Sequence, residues 1–148
     1  MNKIIELNSE NVKAVAEIDA KCFCGEKWSE KLFKEEIGKE GKIYGVFYVN
    51  DIPVGFGGLE QIFDEGNILN LAVLPEYRKQ GIATEILDYL IDKGIKKGIK
   101  SFTLEVRESN DSARRIYEKK GFVNVGKRKC FYPDKEDACI YWLYLQGE

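Results

Sequence analysis

The chain has 148 residues, a length that fits one compact domain, and we expect a single domain over residues 1–148. Its formal net charge of −2 excludes a general nucleic-acid-binding protein, and no window approaches the ~20 apolar residues of a membrane span, so neither partner is expected. The four cysteines lack zinc-site spacing and histidine is absent, which favours free thiols in the cytoplasm, no metal site and no histidine-dependent catalysis.

The N-terminal part of the chain predicts one strand followed by two helices. The strand covers residues 3–7, and Ser9 is placed to cap the first helix, whose apolar positions recur at helical spacing. The second helix begins at Ser29 and ends at Gly38, because glycine often follows the last helical turn. The apolar positions of the first helix are Val12, Val15, Ala16 and Ile18.

A three-stranded antiparallel meander is predicted next. Residues 43–49 and 53–62 are apolar runs separated by the turn-prone pair Asn50-Asp51, and a third strand, 68–73, follows a turn at 64–67. Glycines 55, 57 and 58 lie inside the second run with no helix after them. They therefore indicate a bulge or close packing and not a phosphate loop.

The C-terminal half alternates helices and strands. A helix after Thr84 carries a regular apolar stripe up to Gly98, and residues 102–106 alternate so that Glu105 lies opposite the apolar face. A short helix capped by Asn110 or Asp111 ends at Gly121, before strands at 122–129 and 139–145. The order β-α-α-β-β-β-α-β-α-β-β predicts an α+β, or mixed α/β, domain around one central twisted mixed sheet.

The segment 70–84 is the strongest chemical signal in the chain. An apolar strand breaks at Pro75, crosses a basic turn with Gly81, and enters a helix. Because the first turn of a helix has unpaired N–H groups and a positive dipole end, this arrangement suits a phosphate-bearing cofactor. An ordinary strand-turn-helix connection with a solvated basic loop is the alternative.

The same segment resembles the GCN5-related N-acetyltransferase (GNAT) superfamily. Its pattern is Arg or Gln, two residues, Gly, one residue, then Gly or Ala, which matches Arg78-Lys79-Gln80-Gly81-Ile82-Ala83. Segments 71–77, 104–110 and 113–122 also match. Trp28-Ser29-Glu30 and the stretch 128–138 are similar to the ribosomal-protein-alanine N-acetyltransferase (RimI) family, with departures at Cys130, at Phe131 and in a short loop at 133–136.

This resemblance implies acetyl-CoA as the cosubstrate and assigns residues to it. The backbone of Leu71, Ala72 and Val73 would pair with the pantetheine arm, Asn110 would contact that arm, and the Val73 N–H would stabilise the oxyanion. The pyrophosphate would bind at the turn formed by Arg78, Lys79, Gln80, Gly81, Ile82, Ala83 and Thr84.

Glu105 and Tyr117 are the candidate catalytic residues. Glu105 would act as general base on the amine, directly or through water, and Tyr117 as general acid for the thiolate. The seven-residue separation of Asn110 and Tyr117, with Ala113 between them, puts all three on one helical face. The alternatives are a solvated glutamate on a half-buried strand and a tyrosine packed on the sheet.

The acceptor groove has weaker candidates: Trp28, Ser29, Tyr132, Glu136 and Asp137. Trp28 could equally be a core residue, Ser29 only a helix cap, and the acidic pair a solvated turn. If that pair faces the groove, it favours a basic peptide N-terminus such as a ribosomal protein supplies.

Three functions follow from these residues. The first is acetylation of the N-terminal alanine of a small-subunit ribosomal protein. The second is the same chemistry on another protein N-terminus, a lysine or a small amine. The third is a non-catalytic acyl-CoA-binding module.

Overall fold

The computed structural model describes residues 1–23 and 29–145, and these form one seven-stranded sheet with four helices. The predicted element order and the mixed α/β fold class are confirmed. Strands lie side by side in the order β1-β2-β3-β4-β5-β7-β6, and β4–β5 is the parallel pair among antiparallel ones. The elements are β1 (Asn2–Glu6), α1 (Val12–Cys22), α2 (Glu30–Glu36), β2 (Lys42–Val49), β3 (Ile52–Ile62), β4 (Glu65–Val73), α3 (Ile82–Lys96), β5 (Ser101–Arg107), α4 (Asp111–Lys120), β6 (Val123–Arg128) and β7 (Ala138–Tyr144).

Three predicted boundaries are wrong. The first helix begins at Val12 and not after Ser9, because the Asn8 side chain accepts N–H bonds from Glu10 at 2.8 Å and Asn11 at 2.9 Å and forms a turn first. The β4 strand begins at Glu65, so the preceding turn is shorter than predicted. The helix predicted after Thr84 begins at Ile82, directly behind Gly81.

Two apolar cores cover opposite faces of the sheet. Helices α1 and α2 pack on β2, β3 and β4 around Phe33, while α3 packs on the other face, and the α4 residue Tyr117 joins that second core. The predicted close packing at the β3 glycines is confirmed: a Cβ on Gly57 would lie 2.7 Å from Ile86 of α3. Absence of side chains there lets α3 lie directly on the strand.

Strands β4 and β5 separate along their length. They pair at Glu65–Ser101, Gly66–Phe102 and Asn67–Thr103, and the described part of the chain shows no pairing between them beyond that point. From there β4 remains paired with β3, and β5 with β7. The sheet therefore opens into a wedge at the end where the chain leaves β4 and enters the turn of 78–84.

No helix in residues 1–23 and 29–145 is both long enough and apolar enough to cross a membrane.

Candidate active site

The wedge between β4 and β5 contains a cavity of about 810 Å³, which we call the cleft. One wall is the end of β4 with the turn into α3, and the other is α4. All three predicted strand residues, Leu71, Ala72 and Val73, line it. The separation of β4 and β5 thus exposes backbone N–H and carbonyl groups that would pair with the neighbouring strand in a continuous sheet.

The backbone of Val73 is directed into the cleft. The Leu74 N–H donates to the Val54 carbonyl of β3 at 2.9 Å. Because successive residues of an antiparallel strand direct their N–H groups to opposite edges, the N–H and carbonyl of Val73 point away from β3. The same alternation turns the Leu71 backbone to the cleft and the Ala72 backbone to β3, so two of the three residues offer free backbone groups there.

The turn after β4 brings backbone N–H groups to the cleft. Gly81 has φ +82° and caps α3, with no atom within 4 Å of where its Cβ would be. Because this open, left-handed position precedes the helix N-terminus, an anion can approach the backbone closely. The cleft is lined here by Arg78, Lys79, Gly81, Ile82, Ala83 and Thr84, whereas Gln80 is exposed outside it.

Arg78 reaches back to the end of β4. Its Nε donates to the Val73 carbonyl at 2.8 Å, and its Nη2 lies 3.6 Å from Cys22 Sγ. Burial raises the pKa of the Cys22 thiol, and the Arg78 guanidinium partly opposes that effect. Arg78 therefore joins the turn, β4 and the end of α1 into one unit.

Helix α4 forms the opposite wall with the face predicted from its spacing. Asn110, Ala113 and Tyr117 all line the cleft, and Asn110 also caps α4 by accepting the Ala113 N–H at 3.2 Å. Sequence reasoning missed two cations on this wall, Arg115 and Lys119. Their four-residue spacing puts both on one helical face, which is the signal that could have found them.

Tyr117 is 6% exposed, with its ring 5.7 Å from that of Phe122 and 6.3 Å from that of Tyr141. Burial raises the pKa of Tyr117 well above the ordinary phenol value, and the neighbouring Tyr132 raises it further. The phenol therefore stays protonated at neutral pH. It can donate a proton but not act as a resting base.

Glu105 lies on the sheet face opposite the α4 core, since Leu104 and Val106 on either side of it are buried. Its carboxylate is 27% exposed and makes an ion pair with Arg128 of β6, Oε2 to Nε 2.7 Å. The sequence did not predict this partner. The contact runs diagonally across β7, because Glu105 lies opposite Ile140 whereas Arg128 lies opposite Ala138.

Arg107, two residues further along β5, holds the β6–β7 loop. Its Nη1 lies 3.0 Å from both Asp134 oxygens and 2.9 Å from Glu136 Oε1, and its guanidinium carbon lies 4.1 Å from the centre of the Tyr132 ring. Glu136 also accepts the Ser109 N–H at 2.8 Å. The Glu136 N–H, which donates to Asp134, and the Arg107 guanidinium hold the pKa of Asp134 below its usual range. Hydrogen bonds from Ser109 and from Arg107 lower the pKa of Glu136 in the same way.

The remaining predicted acceptor residues are placed as follows. Asp137 accepts the Cys130 N–H at 2.9 Å and lies 3.5 Å from Lys129 Nζ. Ser29 caps α2 by accepting the Leu32 N–H at 3.3 Å. Trp28 lies outside the described residues. The acidic pair therefore builds the loop, and we call Glu105, Arg107, Arg128 and the loop 129–137 the charged rim. In the described part of the chain, none of these residues is among those that line the cleft.

Comparison with known proteins identifies the family. The model of the acetyltransferase (GNAT) family matches residues 12–122. The chain belongs to this acetyltransferase family. It is 34% identical over 148 residues, 97% of both chains, to the [ribosomal protein bS18]-alanine N-acetyltransferase of Escherichia coli. The Haemophilus influenzae protein of that name is 40% identical over 100 residues, 65% of this chain and 68% of its own.

Solved structures agree with the sequence comparison. The crystal structure of the ribosomal-protein-S18-alanine N-acetyltransferase from Escherichia coli gives a TM-score of 0.90 at 32% identity, covering 100% of this chain and 96% of that one. Ard1 from Thermoplasma volcanium gives 0.87 at 26% identity, with 99% of each chain covered. The chain is therefore a GNAT N-acetyltransferase that is similar to RimI-family enzymes over nearly its whole length.

Proposed function

We propose that this acetyltransferase moves an acetyl group from acetyl-CoA to the N-terminal alanine amine of a small-subunit ribosomal protein. The observation that carries the proposal is the separation of β4 and β5, which turns the Val73 N–H away from β3 and toward the cleft that Tyr117 also lines. The similarity to bS18-alanine N-acetyltransferases over nearly the whole chain supports the choice of acceptor.

The residues of the cleft fit acetyl-CoA. The free edge of Leu71 and Val73 suits a linear amide-bearing arm, because such an arm can add to the sheet as a strand does. The open Gly81 and the α3 N-terminus suit a pyrophosphate, and Lys79 and Arg115 on the same cleft add positive charge. When bound, acetyl-CoA supplies the acetyl group as an activated thioester.

Glu105 serves as general base in this proposal. The amine nitrogen forms the bond to the acetyl carbon and gives its proton to the carboxylate as the carbon–sulfur bond breaks. An α-amine with a pKa of about 7.8 is ~14% neutral at pH 7, whereas a lysine at ~10.4 is only ~0.04% neutral. A modest base therefore suffices for an N-terminus and disfavours a lysine.

Tyr117 and Val73 act on the other two atoms that change charge. The Val73 N–H donates to the acetyl oxygen as negative charge develops there, which a fixed backbone donor does well. The Tyr117 phenol gives its proton to the departing sulfur and regains one from solvent. Burial keeps that proton in place between turnovers.

The proposed acceptor rests on similarity to the bS18-alanine N-acetyltransferases, and it implies where in the cell the enzyme acts. A ribosomal protein N-terminus is available in the cytoplasm, which agrees with the location expected from the cysteine pattern. Because Glu136 is bonded to Arg107 and Ser109, and Asp137 to the Cys130 N–H, recognition of a basic peptide rests on the rim as a whole and not on that pair.

The test measures thiol release from acetyl-CoA with three acceptors. These are a basic peptide beginning with alanine, the same peptide blocked at its N-terminus, and free lysine. Turnover only with the open N-terminus supports the proposal, and turnover with the blocked peptide or lysine replaces its acceptor. Binding of coenzyme A with no turnover on any of the three indicates a non-catalytic acyl-CoA-binding module.

A matched pair of variants then tests the base. We expect Glu105→Gln to lower kcat about 10²-fold or more without changing coenzyme A affinity. Glu40→Gln, on the exposed loop before β2, should leave kcat unchanged. Wild-type kcat in Glu105→Gln would remove Glu105 from the chemistry.

A further inference from the structure

The ion pair between Glu105 and Arg128 is a feature that the proposed reaction does not itself require. Arg128 is 58% exposed at the end of β6, and its Nε lies 2.7 Å from Glu105 Oε2. The Arg128 guanidinium also lies 5.7 Å from the centre of the Phe131 ring. A planar cation with two partners is held on one side of the candidate base.

Resting on the proposed function, we propose that Arg128 is a positioning residue that makes the acceptor site favour the neutral amine over the ammonium form. It does so by neutralising the Glu105 carboxylate through the ion pair, so that the reactive form of the acceptor is the form that binds.

The physical argument begins with the acceptor. At pH 7, about 86% of an α-amine with pKa ~7.8 carries a proton and cannot attack the thioester. An isolated carboxylate would attract that ammonium and hold the unreactive form. A carboxylate already paired with a guanidinium has almost no net charge to offer, so this preference is lost.

The geometry leaves the base able to work. The ion pair uses Oε2, and a carboxylate has a second oxygen that can accept a hydrogen bond. In the described part of the chain, Oε1 has no ion-pair partner of its own. The amine can therefore give its proton to Oε1 while Arg128 remains on Oε2.

Other charged groups near Glu105 are already paired. On β5, Arg107 is bound by Asp134 and Glu136. At the start of β7, Asp137 is paired with Lys129, and the β7 residue opposite Glu105 is the apolar Ile140. On the remaining side β4 diverges from β5. In the described part of the chain, Arg128 is the cation that forms an ion pair with Glu105.

The test compares two peptides that differ in charge alone. Both have the sequence of the alanine peptide. In one peptide a trimethylammonium group replaces the N-terminal amine, and in the other the isosteric tert-butyl group replaces it. Their dissociation constants are measured with coenzyme A-saturated protein, without turnover. The readout is the ratio of the two constants, which a purely structural defect would not change because it weakens both peptides.

Three variants are compared with the wild type. We expect Arg128→Met to shift the ratio about two- to fivefold in favour of the charged peptide, the size expected for an exposed ion pair. Arg128→Lys keeps the charge and should restore most of the wild-type ratio. Lys127→Met removes a cation on the other face of β6, where it pairs with Glu108, and should leave the ratio unchanged.

Kinetics give a second readout. If the bound ammonium is stabilised two- to fivefold more in Arg128→Met, the acid limb of kcat against pH moves up by about 0.3–0.7 unit, the logarithm of that factor.

An unchanged ratio in Arg128→Met or an equal shift in Lys127→Met would overturn the inference. Absence of acetyl transfer to the open N-terminus would instead remove the proposed function, while the binding ratio could still be read. Failure of wild-type protein to bind either peptide would overturn both.

Discussion

Two sides of the candidate site, the β4–α3 wall of the cleft and the charged rim, are built in different ways. The candidate cofactor side, from Leu71 to Thr84, uses backbone groups and a glycine that are close together in sequence. The charged rim uses side chains joined across strands, such as Arg107 and Glu136, which are 29 residues apart. The first side can be read from a short motif, and the second depends on strand register. The predictions below test that difference.

The largest effect is expected at Tyr117, which lies between the two sides. Tyr117→Phe removes one hydroxyl from a buried ring and should lower kcat by about 10²-fold or more while the protein stays folded. Steady-state kinetics and thermal unfolding measure both quantities. Tyr48→Phe on β2 is the matched control and should keep the wild-type kcat. An equal loss of kcat in both variants, or no loss in Tyr117→Phe, would contradict the acid role.

The pH profile sharpens the same assignment. Because burial raises the pKa of Tyr117, its proton is retained above the ordinary phenol value of about 10. We therefore expect no alkaline fall in kcat from this group up to about pH 10. A wild-type decline between pH 8 and about pH 9.5 that disappears in Tyr117→Phe would show that its pKa is not raised.

The cofactor side is tested by two glycines with the same backbone requirement. Gly81 and Gly98 have φ +82° and +91°, and a Cβ on either would meet no atom within 4 Å. Alanine should therefore cost each variant a similar stability, about 1–2 kcal/mol. Only Gly81→Ala should weaken coenzyme A binding, by about tenfold, because Gly98 lies at the far end of α3.

Titration calorimetry with coenzyme A and thermal unfolding separate these two effects. Equal loss of coenzyme A affinity in both variants would mean that the turn at Gly81 acts only through stability.

Substitutions in the charged rim should have smaller effects, and these should be confined to the acceptor peptide. Arg107→Gln releases Asp134 and Glu136 and removes the cation stacked on Tyr132. We expect KM for the acceptor peptide to rise about three- to tenfold with coenzyme A affinity unchanged. Glu136→Gln should act in the same direction.

The charge of the peptide distinguishes two roles for Glu136, holding the loop in place and contacting a basic acceptor. If Glu136 holds the loop, its replacement should raise KM equally for basic and neutral alanine peptides. An increase seen only with the basic peptide would show that Glu136 contacts the acceptor.

The smallest effect concerns acid stability of the rim. The pKa values of Asp134 and Glu136 are lowered, so their bonds to Ser109 and Arg107 stabilise the folded loop above the ordinary carboxyl values of about 4. That contribution is lost as pH falls through the lowered values. Amide exchange at Ser109 should stay protected at pH 5 and increase below about pH 4, and protection unchanged at pH 3 would contradict this.

Much of the site could be predicted because its signals are local. The positive φ of Gly81, the Asn110 cap and the helical spacing to Tyr117 each depend on residues within a few positions of one another. Element boundaries failed where side chains competed with the backbone, as Asn8 does before α1. The cations Arg115 and Lys119 were missed because α4 was read along one stripe.

The sequence by itself determined the order of elements, the mixed fold, the turn that faces the cleft and the family. Periodicity, caps and glycine conformations depend on residues that are close together in sequence, and therefore they can be predicted from the sequence. Tertiary structure alone decided that β4 and β5 separate, that Arg128 meets Glu105, and that Glu136 bonds to Arg107 and Ser109. Those contacts depend on which strands are neighbours and in what register, and distant parts of the chain fix both only when the sheet forms.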